Sequence, residues 1–232
     1  MKYALTTIAL LFAGVSVPAG AQDLTGLRIE GRVGWDRTGA SFDIPNPDYD
    51  EDDEDSPEFL IGSSNNSDVT YGAELGYDYQ FRSGLVVGAY GGVDFSNGRT
   101  CRELVTDDHA CSGLDRTFTA GARAGMAFGR SSMAYVKGGY SNGKIDAFYD
   151  PDLTDNDAAT PGPVYDYSKS KGGYHLGAGV EVGLLKGIYA KAEYVYTDFG
   201  NRSYVVGTGA NAPVLTAGLD RHQVLAGLGV RF

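Results

Sequence analysis

The sequence predicts an all-β chain: an eight-stranded antiparallel up-and-down transmembrane β-barrel. Three observations predict it. Eight segments alternate apolar and polar residues with period two, and most run about 9–11 residues, the length a tilted strand needs to cross a bilayer. Their connections alternate between short and long, which puts the turns at one end and the loops at the other. In each segment the charges fall on one face, and the opposite face is apolar and aromatic.

The first residues read as a secretory signal. Met1-Lys2 is a short basic start, 4–17 is an uncharged apolar core, and Pro18-Ala19-Gly20-Ala21 ends in small residues. Cleavage after Ala21 leaves 22–232 as one barrel domain. The apolar run is shorter than the roughly 20 residues of a transmembrane helix. A mature chain in a membrane must therefore cross it with strands.

The eight segments are 27–36, 69–79, 85–95, 118–128, 134–140, 174–182, 188–196 and 221–232. Three compact turns join them: 80–84 (QFRSG), 129–132 (GRSS) and 183–187 (GLLKG). The other four connections, 37–68, 96–117, 141–173 and 197–220, are read as long loops. Both chain ends then lie on the side of the short turns. The last segment stops on an aromatic, Phe232, as a closing strand paired with the first would.

Parity places Arg28, Glu30, Arg32, Asp36, Glu74, Asp78, Asp94, Arg123, Lys137, Glu181, Lys191, Glu193, Arg221 and Arg231 on the lumen face. These are seven cations and seven anions, so the wall is neutral. Charges of both signs inside so narrow a barrel predict a network of ion pairs that plugs the lumen. Arg231 is expected to pair with Glu30 across the closing seam. On the other face, residues such as Leu27, Trp35, Tyr71, Tyr79, Phe118, Tyr140, Tyr194 and Phe232 should meet lipid, with aromatics towards the rims.

The chain has a net charge of −11, and the long loops carry the excess. The run DYDEDDED at 48–55 attracts cations, so divalent cations are candidate partners there. Asp150, Asp152, Asp155 and Asp157 form a second acidic cluster without the glycine and glutamate of an EF-hand loop. Acidic loops repel phosphate and argue against nucleic acid. Cys101 and Cys111, behind a signal peptide, read as a disulfide. No cofactor motif is present. Of the three histidines, His109 lies in the cysteine loop and His175 on the lumen face. His222 lies on the lipid face near the outer rim, where Asp220 and Ser203 would be its partners in any hydrolytic site. The reading is of a protein that is not an enzyme.

Five pieces stand in order along the chain: AGARAGMAFG at 120–129, YVKGGY at 135–140, GAGVEVG at 177–183, KAEYVYTDFG at 191–200 and AGLGVRF at 226–232. Together they resemble the opacity-like, OmpA/OmpX-like outer-membrane β-barrel surface antigens common in alphaproteobacteria. The resemblance implies a place in the outer membrane of a Gram-negative bacterium, among its lipid and lipopolysaccharide. It implies insertion by the barrel assembly machinery, guided by the C-terminal strand, with Phe232 as the assembly signal. It places Arg123, Glu181, Lys191 and Glu193 at inward polar positions. It also implies a role in envelope integrity or surface interaction, and no catalytic residues. The competing readings are a narrow porin-like channel, a lipid-A-modifying barrel enzyme, and a soluble calycin-like barrel with the two faces exchanged.

Overall fold

The computed structural model describes residues 23–45, 59–96, 99–103, 109–150, 165–205 and 214–232. The leader at 1–21, the acidic run at 48–55 and residues 152–157 of the second cluster lie outside these residues.

Among the described residues nine strands follow one another: β1 (Gly26–Pro45), β2 (Phe59–Gln80), β3 (Leu85–Ser96), β4 (Arg99–Glu103), β5 (His109–Phe128), β6 (Ser132–Asp150), β7 (Tyr165–Leu185), β8 (Ile188–Val205) and β9 (Val214–Arg231). Eight of them form the wall, in the order β1-β2-β3-β5-β6-β7-β8-β9, every pair antiparallel. The ring closes where β9 pairs with β1, from Arg28 opposite Arg231 to Asp43 opposite Thr216. Among the described residues the closed ring pairs every strand of the wall on both sides where the strands face lipid, which is what allows a sheet to stand there. Each short turn holds one left-handed glycine, Gly84, Gly129 or Gly187, where φ lies between 63° and 84°.

The wall strands run from 12 to 22 residues, longer than the segments that alternation marks. The excess lies in the connections read as loops. Pairing of β1 with β2 continues from Asp36 opposite Asp68 out to Pro45 opposite Phe59. Pairing of β6 with β7 reaches Tyr149 opposite Tyr165, and that of β8 with β9 reaches Val205 opposite Val214. A ribbon beyond the bilayer has no lipid-facing side, so nothing selects alternate apolar residues. The backbone ladder continues without a sequence signal.

The short strand β4 is a second departure. It takes up where β3 ends and pairs with the outer part of β5, setting Cys101 opposite Cys111. Opposed Cα atoms of an antiparallel pair lie about 4.5–5.5 Å apart, within the span of a disulfide. The two side chains are outside the described residues.

The two faces differ as a lipid-bound barrel requires. Val33 is 53% exposed and its neighbour Arg32 only 6%. Around the outside stand Trp35, Tyr71, Phe95, Phe118, Tyr140, Tyr174 and Tyr194 at one rim and Tyr77, Tyr79, Phe81 and Phe232 at the other, all exposed. A soluble barrel with exchanged faces does not have this arrangement.

Glycine makes room for what the lumen holds. A Cβ on Gly76 would lie 2.7 Å from Arg28 Nη2, and one on Gly229 would lie 2.4 Å from Tyr189 Cζ. In both places a large inward side chain lies over a glycine of the next strand. The mouth at the short turns is sealed differently. Leu24 is buried there with Val86, Ala127, Met133 and Tyr135. Its amide donates to Gln80 Oε1 at 2.7 Å, and the Gln80 amide donates to Thr25 Oγ1 at 3.0 Å.

Candidate functional site: a lumen crossed by paired charges

All fourteen residues assigned to the lumen by parity point inward. Thirteen are buried, and the side chain of Arg231, at the mouth, is 6% exposed. Strand alternation positions them: those that share a strand are separated by even numbers of residues, as in Arg28, Glu30 and Arg32 of β1 and Arg221 and Arg231 of β9.

Glu74 on β2 is the centre. It accepts from Arg28 Nη2 at 2.7 Å, Arg32 Nη1 at 2.6 Å and Lys137 Nζ at 2.7 Å. Arg32 turns its other edge to Asp94, with Nε at 2.7 Å and Nη2 at 2.8 Å. Arg123 grips Asp78 in the same two-pronged way, at 2.9 and 2.5 Å, and reaches Glu181 at 2.5 Å. Such forked pairs are the strongest geometry a guanidinium makes with a carboxylate. Glu193 receives Lys137 at 3.2 Å and Lys191 at 3.3 Å. Glu30 receives Arg28 at 3.1 Å and the Lys191 ammonium. Every one of the eight wall strands contributes a charge to this body. Towards the outer end stands a separate pair, Arg221 with Asp36. There Arg221 Nη1 also donates to Thr117 Oγ1 at 3.0 Å.

One expected partner is corrected. Arg231 does not pair with Glu30. It donates to Asp78 at 3.1 Å and Glu181 at 2.9 Å. The seam sets Arg231 opposite Arg28, so the two like charges part, and Arg231 reaches across the mouth to β2 and β7.

Three tyrosines belong to the network and were not singled out from the sequence. Tyr135 donates to Glu193 at 2.6 Å and carries the Arg123 guanidinium over its ring at 4.9 Å. Tyr189 donates to Glu30 at 2.8 Å with Arg231 over its ring at 5.0 Å. Tyr90 places its ring under Lys137 Nζ at 4.1 Å. Their signal was parity: all three share the charged face of their strands.

His175 is buried at the outer end of this body, between the Tyr90 hydroxyl on Nε2 and Ser141 Oγ on Nδ1 at 2.8 Å. His222 faces outward, with Nε2 3.3 Å from Asp220 Oδ2 and Nδ1 2.7 Å from the Tyr194 hydroxyl. The side chains of Ser203 and His109 lie outside the described residues.

The model of the family described as "Outer membrane protein beta-barrel domain" matches residues 7–232. The chain belongs to that family. It is an outer-membrane β-barrel, and its short turns accordingly face the periplasm and its ribbons the outside. Among curated proteins it is similar to the 31 kDa outer-membrane immunogenic protein of Brucella melitensis biotype 1, with 28% identity over 231 residues, 95% of this chain and 88% of that one. A shorter match is to the 22 kDa outer membrane protein of Rhizobium leguminosarum bv. viciae, with 37% identity over 67 residues, 29% of this chain and 30% of that one. Among solved structures it is similar to the outer membrane protein OprG of Pseudomonas aeruginosa. That match has 14% identity and a TM-score of 0.47, covering 91% of this chain and 99% of that one. The family likeness stated from the five sequence pieces therefore holds.

Proposed function

We propose that this chain is a non-conducting surface barrel. Its wall supports envelope integrity, and its outer ribbons meet partners at the cell surface, lipopolysaccharide among them. One observation carries the reading. Cations from β1, β5, β6 and β9 meet Glu74 and Asp78 of β2 across the lumen, and Asp94, Glu181 and Glu193 tie β3, β7 and β8 into the same network, at hydrogen-bonding distance and almost fully buried. An eight-stranded interior is just wide enough for side chains to fill. Mutually satisfied charges in such a space hold the wall together and leave transport to other proteins. The acidic run at 48–55 adds a negative surface that draws divalent cations shared with lipopolysaccharide.

A strain lacking this chain tests the role. It is expected to become more sensitive to detergent and to chelators, and the full chain should restore resistance. A chain with the β1–β2 ribbon cut back to Arg37 and Ser67 should restore it too if the wall is what matters. Unchanged sensitivity of the deletion strain would set the envelope role aside.

A further inference from the structure

The lipid-facing wall is not evenly clad. One cross-strand row runs Tyr77, Ala89, Ala122, Gly138, Leu176 over β2, β3, β5, β6 and β7. Tyr77 and Leu176 stand out at its ends, 53% and 59% exposed, and the three small residues form a floor between them. The result is an open concavity of about 840 Å³, continued by Ala124 in the row below. That volume is within the range of small-molecule sites. It opens on the wall that meets the hydrocarbon, so what fills it is apolar and comes from the membrane.

Two further observations identify the occupant. The concavity lies two to six residues above the periplasmic ends of β3, β5 and β6, in the periplasmic leaflet. Directly below it are the β2–β3 and β5–β6 turns, brought side by side where Leu85 pairs with Met126. Each of these turns carries one exposed cation, Arg82 or Arg130, and no acid, in a chain of net charge −11. Among the described residues neither arginine takes part in an ion pair. An apolar seat above two unpaired guanidiniums fits a lipid with an anionic headgroup in the periplasmic leaflet.

We propose that this concavity holds an acyl chain of an anionic phospholipid whose phosphate is bound by Arg82 and Arg130. The inference rests on the orientation of the barrel and not on the envelope role. Motional restriction of spin-labelled lipids around the whole chain in phosphatidylcholine nanodiscs tests it. Labelled phosphatidylglycerol should be restricted about fivefold more than labelled phosphatidylcholine, equivalent to about 1 kcal/mol, the contribution of one basic residue near anionic lipid. Changing Arg82→Gln and Arg130→Gln together should bring the two labels level while a restricted population remains. Ala122→Phe should reduce the restricted population of both labels, with native strand content by circular dichroism. Equal restriction of the two labels by the unaltered chain would overturn the proposal. So would an unchanged restricted population in Ala122→Phe. Efficient disulfide dimerisation of Ala122→Cys at high lipid dilution would assign the floor to a second copy instead.

Discussion

Replacing Glu74 with alanine is expected to cost the folded barrel about 3–5 kcal/mol, the penalty for breaking a buried ion pair on one side only. Glu74 accepts from Arg28, Arg32 and Lys137 within 2.7 Å, in a space closed to water. Its removal leaves the cations facing each other with one fewer anion among them. The midpoint of urea unfolding in phospholipid vesicles should fall accordingly. An exposed pair provides the control. Asp115 and Lys144 lie 3.6 Å apart with both side chains open to solvent, and Asp115→Ala should change stability by less than about 1 kcal/mol. Adding Lys137→Met to Glu74→Ala should recover part of the loss, because it removes a stranded charge and keeps the volume.

The neighbouring residue predicts the opposite demand. Leu75 faces lipid near mid-height, paired with Ile29 and 51% exposed. Leu75→Arg is expected to destabilise the barrel by about 2–4 kcal/mol, the cost of an arginine near the bilayer midplane. In a soluble barrel the same change at a half-exposed position would stay within about 0.5 kcal/mol. Unfolding in vesicles measures the difference directly, and a neutral result would place this face in water. At position 74 a charge is required, and at 75 it is excluded, because a strand turns successive side chains to opposite faces.

That period is also why so much of the barrel was legible. On β1, β2, β8 and β9 two or more charges fix the parity, and the remaining strands follow once one face must meet lipid. The partners were not legible. Which residues meet across the lumen depends on stagger between strands distant in sequence, as in Arg123 of β5 reaching Glu181 of β7. Arg231 shows the limit: its seam neighbours suggested Glu30, but the register set it opposite Arg28. Tyr90, Tyr135 and Tyr189 went unremarked because a tyrosine suits either face, donating to a carboxylate inside or lying at the interface outside. The apolar seal around Leu24 carries no periodic signal, since one leucine outside any strand suffices. The outer ribbons escaped notice because alternation ends where lipid ends.

The paired lumen is the feature on which the rest depends. Single-channel recording of the purified chain in planar bilayers tests it most directly. A lumen bridged by charges from every wall strand predicts no conductance steps above the leak of the lipid alone, across a range of voltage and salt. Steady openings on the nanosiemens scale would contradict it and make this barrel a channel.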